Sequence, residues 1–197
     1  MTLFVSGIDQ LDYRETLFYC MPKFVITLFI VLSFLCISDN TIFAGDMNEE
    51  IDRILYSAEH YFSSLRDGEY QSAWSNLSEK SRSSIIDDVY RASKEDGVTI
   101  TREEIMQNFD AGGIIFLSYW KAVRITFDPD MVLEKSSWKM GRLQDNRADI
   151  LIQYRDAPQP TTLKMFKEQQ EWRVGFIETF DTIKTRKLPQ YIFDKFN

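Results

Sequence analysis

Apolar residues in the middle of the chain recur at a helical period. Ile51, Ile54, Leu55, Ala58, Phe62 and Leu65 are spaced by threes and fours, which predicts one apolar stripe on a helix from about Met47 to Asp67. Gly68 supplies its stop. A short helical stretch follows from Tyr70 through Ala73, Trp74 and Leu77. A third helix starts near Ser78-Glu79, turns Ile85, Ile86 and Val89 inward and breaks at Asp96-Gly97. Thr101-Arg102-Glu103-Glu104 has the form of a capping box, because a Thr hydroxyl and a Glu three residues on can each satisfy a free N–H at a helix start. The fourth helix therefore begins at Thr101, is interrupted at Gly112-Gly113 and resumes through Ile114 to Val123.

After the turn signal Asp128-Pro129-Asp130 the period changes from helical to alternating. Ala148, Ile150, Ile152 and Tyr154 take one side of a strand while Asp149, Gln153 and Arg155 take the other. Leu163 and Met165 alternate with Lys164, and Trp172, Val174 and Phe176 alternate with Glu171 and Arg173. Glu168-Gln169-Gln170 is a hairpin-short link between these two strands, and a further strand over Met131 to Leu143 completes an antiparallel meander of about four. Helices first and strands afterwards give an α+β class, with N-terminal helices packed on a curved antiparallel sheet. The stretch from Asp181 to Asn197 reads as a tail, either a docked extension or a frayed end.

Upstream of the domain, Phe24 to Ile37 form an apolar run in which only Thr27 and Ser33 are polar, preceded by Met21-Pro22-Lys23. A spanning helix needs about 18 to 20 apolar residues, whereas a secretory signal core needs about 7 to 15. The length favours a signal peptide, with Ala44 the small residue before cleavage and Gly45 opening the mature chain. The residues before Met21 hold Asp9, Asp12 and Glu15 against Arg14 alone, the wrong charge for a signal's basic start, so Met21 is the expected true start. The alternative keeps residues 24–37 as a membrane anchor, which a slightly short helix manages by thinning the bilayer. The expected division is 1–44 for extension and signal, 45–181 for the domain and 182–197 for the tail. A periplasmic or secreted location follows, or a membrane-anchored one if the run is retained.

Charge and cysteine usage narrow the chemistry. The chain of 197 residues has 23 Lys+Arg against 30 Asp+Glu, a net charge of −7. Such a balance argues against nucleic acid as a partner, since neutralising phosphates along a duplex takes a surplus of bases. Both cysteines, Cys20 and Cys36, precede Ala44, which leaves the domain no disulfide, thiol nucleophile or Cys-based metal site. Large Phe34-Leu35 before Cys36 do not fit a lipidation site. There is one histidine, His60, and no metal-binding or Gly-rich phosphate motif; no metal and no cofactor are expected. Asn76-Leu77-Ser78 matches a glycosylation acceptor, a pattern that recurs by chance.

The order of elements, with an Asp67-Gly68-Glu69-Tyr70 turn, a short helix holding Ala73-Trp74, the Leu77-Ser78 step and a meander closing on Glu171-Trp172-Arg173-Val174, resembles the nuclear transport factor 2-like, cystatin-like superfamily. The resemblance covers residues 48–180 and implies a sheet bent around a long helix to form a cone with a pocket. Members of that superfamily include isomerases and cyclases, uncharacterised exported bacterial domains and periplasmic parts of secretion-system assembly proteins, so the fold does not fix the function. The enzymes place an Asp or an Asp/His pair in the cone, where an apolar setting raises a carboxyl pKa toward the working pH. Here His60 lies one position off the inward stripe, Asp149 alternates away from Ala148 and Ile150, and Asp87-Asp88 and Glu103-Glu104 are adjacent pairs splayed around their helix axes. No catalytic residue is therefore assigned.

The rings Tyr70, Trp74, Tyr119, Trp120, Trp138, Tyr154 and Trp172 suit either a core or a ligand pocket. Where a pocket exists, Trp138, Tyr154 and Trp172 on the sheet and Trp120 at the helix end are the expected ligand-binding residues. The expected function is an exported, non-catalytic domain that binds a small apolar ligand or an envelope protein. A ketosteroid-isomerase or polyketide-cyclase type enzyme and a membrane-anchored secretion-system assembly component are the alternatives.

Overall fold

Helix α1 (Asp39–Asp67) begins eight residues earlier than the stripe predicts, and its buried line is Ile54, Ala58, Tyr61, Phe62 and Leu65. The computed structural model describes residues 39–155, 157–180, 188–189 and 192, with side chains from Asp46. Two compact units divide the chain, residues 1–48 and 49–197. Of the first, only the opening of α1 lies within the described residues; the signal segment and the Met21 start fall outside them. Everything below concerns the second unit. Gly68 ends α1 at φ +80°, a conformation that costs a residue with a Cβ, and Glu69 N–H returns to the Ser64 carbonyl at 2.9 Å.

Helix α2 (Tyr70–Ser75) buries Tyr70, Ala73 and Trp74. Asn76-Leu77-Ser78 then runs beside Val174, with Val174 N–H bonded to the Asn76 carbonyl at 2.8 Å and Ser78 N–H to the Val174 carbonyl at 2.9 Å. This ladder fragment ties the helical half of the chain to the last strand. Ser78 also caps α3 (Glu79–Glu95) by accepting from Ser81 N–H. The capping box at Thr101 is present, opening α4 (Arg102–Asp110). Gly113, the N-cap of α5 (Ile114–Thr126), has no side chain to cap with, so Asn108 of α4 lends its Oδ1 to Ile115 and Phe116 N–H instead.

One element differs in kind from the sequence expectation. Residues 129–134 form helix α6 (Pro129–Glu134) and not the start of a strand. Asp128 is an N-cap that accepts from Asp130 and Met131 N–H, and Pro129 sits at the first helical position, where its missing N–H is no loss. Strand β1 (Ser136–Gln144) therefore begins five residues later than expected. It is followed by β2 (Arg147–Tyr154), β3 (Thr161–Glu168) and β4 (Glu171–Gly175), an antiparallel sheet in the order β1-β2-β3-β4. Phe176, expected on the last strand, instead opens α7 (Phe176–Phe180). The fold is α+β, as the order of periods predicts.

The helices cover one face of the sheet. Ala148, Ile150, Ile152, Leu163, Met165, Trp172 and Val174 supply the sheet's side of the core. Trp120 is its hub: the rings of Tyr61, Tyr70, Trp74, Phe116 and Tyr119 lie 5.8 to 6.4 Å from its own, centroid to centroid. Leu188 and Ile192, from the tail, are buried in the same cluster.

Candidate functional site

The four aromatic residues expected to line one pocket go to four different places. Trp120 is fully enclosed in the core. Trp138 is half-buried, donating its Nε1–H to the Val132 carbonyl at 3.0 Å, and walls a shallow cleft with Leu55, Glu59, Leu133 and Ser136. Tyr154 is exposed at the end of β2. Trp172 alone combines a buried body with a cleft that has polar capacity to spare.

That cleft, of about 350 Å³, lies between α1 and the start of β4. Helix spacing builds one wall, since Tyr56 and His60 are four residues apart on α1 and their rings stack at 5.9 Å with only 7° between planes. Trp172, Gln170 and Arg173 form the opposite wall, and Asn76 closes the inner end. Much of the polar lining has structural work. Ser57 Oγ donates to the Trp172 carbonyl at 2.5 Å. Arg173 donates to the Ser75 carbonyl at 2.7 Å and pairs with Glu171. Trp172 Nε1–H donates to Glu50 Oε1 at 3.0 Å, and Lys167 bonds the same carboxylate. The bond from Lys167 outweighs the opposing effect of burial and, with the Trp172 bond, holds Glu50 below the usual carboxylate range.

Two groups in the cleft keep unused hydrogen-bonding capacity. His60 shares a 3.0 Å bond between Nε2 and Ser72 Oγ, which itself accepts from Ser64 Oγ at 3.0 Å; the other ring nitrogen has no partner among the described residues. Asn76 is 8% exposed, yet its Nδ2 has no hydrogen-bond partner. A buried amide donor without an acceptor costs about 1–3 kcal/mol, and this one is enclosed, so the unbonded His60 nitrogen is the capacity the cleft offers. Burial of Asn76 also makes it a poor glycosylation acceptor.

Sequence reasoning passed over Tyr56 and weighed Asn76 only as a glycosylation acceptor. Tyr56 projects from the polar side of α1 and is 69% exposed, which reads as an ordinary surface residue. The one available signal was the Tyr56–His60 spacing. Among the described residues, no group of three or more His, Cys, Asp or Glu is placed to hold a metal ion, and no helix is long and apolar enough to cross a membrane.

Fold and cleft together define a class: an α+β domain of helices on a four-stranded antiparallel meander, with an aromatic-walled cleft at the sheet's last strand. Comparison with known proteins goes no further, for no family model, no curated protein and no solved structure matches the chain.

Proposed function

We propose that this chain is an exported, non-catalytic binding domain of the nuclear transport factor 2-like kind, and that the cleft between α1 and β4 takes a small, flat, mostly apolar ligand with one polar group. The stacked rings of Tyr56 and His60 facing Trp172 across the cleft, with one His60 ring nitrogen unbonded among the described residues, carry the reading. A flat ligand would lie against the rings while its polar group met that nitrogen, which supplies orientation at little desolvation cost. Ser57, Arg173 and Glu50 hold the walls in place and are committed to doing so. Export rests on the apolar run Phe24 to Ile37 and its flanks.

Anilinonaphthalene sulfonate, a flat fluorophore with acceptor oxygens, tests the cleft on the full chain. Saturable binding should weaken about tenfold in Tyr56→Ala and in His60→Ala, with thermal melts of Tyr56→Ala unchanged because its ring is exposed. Equal binding by wild type and both variants would defeat the reading. A turnover in an isomerase or cyclase screen that disappears in His60→Ala would replace it with the enzymatic alternative.

A further inference from the structure

A third cleft, of about 410 Å³, lies where the open face of the sheet meets α3 and α7, and it shares no lining residue with the Trp172 cleft. Lys80, Arg142, Arg147 and Lys164 all border it. Strand register brings most of them together. Asp149 pairs with Lys164 across β2 and β3, and the irregularity between Met140 and Leu143 sets Arg142 beside that row. In the next row Arg147 stands between Gln144 and Phe166, its guanidinium 5.9 Å from the Phe166 ring centroid. Lys80 comes from the first turn of α3.

None of these four cations forms an ion pair or a side-chain hydrogen bond among the described residues. Elsewhere in the unit Arg53, Arg66, Arg91, Arg102, Lys167 and Arg173 are each paired with an acid. Two acids, Asp149 and Glu178, also border the cleft; the Ser78 and Ser81 hydroxyls hold Glu178 in place without cancelling its charge, so the lining has four positive side chains against two negative. An acidic protein has thus gathered a surplus of positive charge into one concavity, against mutual repulsion. A compact oxyanion of charge two or more relieves that repulsion, and two guanidinium forks suit phosphate oxygens better than a carboxylate or halide would. The Phe166 ring beneath Arg147 offers apolar footing for whatever bears the phosphate.

We infer that the cleft formed by Lys80, Arg142, Arg147 and Lys164 binds the phosphate group of a phosphorylated small ligand or of a phospholipid headgroup. Its volume suits one such group, and the acidic remainder of the protein gives a nucleic-acid backbone nothing to follow.

Titration of the full chain with pyrophosphate, in parallel with sedimentation on phosphatidylglycerol vesicles and on phosphatidylcholine vesicles, tests the inference. Saturable pyrophosphate binding, weakening as salt is raised, supports a soluble phosphate ester; binding to phosphatidylglycerol in excess of phosphatidylcholine, without pyrophosphate binding, supports a lipid headgroup. In either case Arg147→Ala and Lys164→Ala should each lower affinity about tenfold, Arg142→Gln serves if either folds poorly, and Lys121→Ala, exposed on α5, should change nothing. Absence of binding in both arms overturns the inference. So does binding that the cleft variants leave intact, including vesicle binding that persists through the apolar N-terminal segment.

Discussion

The two faces of the sheet are made from alternate residues of the same strands, and they do opposite jobs. On one face Ala148, Ile150, Leu163, Met165 and Val174 are almost wholly enclosed by helices and rings. On the other, Arg147, Asp149, Lys164 and Phe166 meet a cleft open to solvent. Because a strand's side chains alternate with period two, a single residue step separates a position that sustains the fold from one free to recognise something. Stability and binding can then be changed independently.

The largest effect should come from breaking the enclosed face. Trp172→Ala is expected to cost about 3–5 kcal/mol, since it empties a large buried site and removes the donor to Glu50. Arg147→Ala, on the open face, should stay within about 0.5 kcal/mol. Denaturant titrations at a shared m-value measure both. Similar losses in the two variants would show that the faces are not separable.

Alkaline pH probes the same enclosed side. Burial pushes the Tyr61 hydroxyl, and likewise that of Tyr119, well above the usual tyrosine range. Both groups favour the neutral form in the fold, so their contribution is complete below the unfolded value of about 10 and is lost as pH rises beyond it. Stability should fall by about 1.4 kcal/mol per pH unit for each tyrosine. Tyr61→Phe should halve that slope. At neutral pH it should cost little, because the Tyr61 hydroxyl is buried with no hydrogen-bond partner. Melting midpoints from pH 9 upward give the slopes, and an unchanged slope in Tyr61→Phe would count against its burial.

How much of this was legible in the sequence follows from the range of the interactions. The stripe of α1, the Thr101 capping box and the alternation of Ile150 and Leu163 are local patterns, and each element formed where it pointed, α1 with eight further residues at its start. Asp128-Pro129 was ambiguous, because the same dipeptide signals a turn or an N-cap with Pro in the first helical position; only the backbone geometry decides. The clefts were not legible for a different reason. Trp120 and Trp172 both read as large rings on apolar faces, and whether such a ring ends in the core or at a rim depends on partners far away in sequence. Asn76 is held beside Trp172 by the Val174 ladder, almost a hundred residues on. Arg142 and Lys164 share a row only through strand register.

A smaller effect concerns the rim of the enclosed face. Glu50 receives Lys167 and Trp172 Nε1–H, a half-buried cation and an enclosed ring that are cross-strand neighbours. Glu50→Gln should cost about 1–2 kcal/mol at neutral pH, through loss of charge-assisted bonds. Since the folded carboxyl lies below its ordinary value of about 4.3, this contribution is present above that pH and is lost as pH falls through the folded value. Wild type and variant should therefore converge in acid. Two stability profiles that stay parallel down to pH 2 would mean that the pair contributes nothing through charge.

The smallest effect concerns the turn between β3 and β4, at the rim of the Tyr56 cleft. Gln169 and Gln170 both have positive φ, +50° and +69°, the pattern of a two-residue type I′ hairpin. That turn matches the twist of the flanking strands but favours Asn-Gly, because a glutamine Cβ is crowded in the left-handed region. Replacing the pair by Gln169→Asn with Gln170→Gly removes the crowding without touching the core. It also loosens the unfolded chain at the glycine, which offsets part of the gain. A net stabilisation of about 0.4–1 kcal/mol is expected, read as a higher urea midpoint. Gln170 also lines the cleft, so fluorophore affinity measured on the same protein separates two roles. If stability rises and affinity holds, the glutamines are a tolerated turn sequence. If stability rises while affinity drops severalfold, Gln170 contacts the ligand, and the strained turn is kept because it serves binding on the rim at the expense of the fold beneath it.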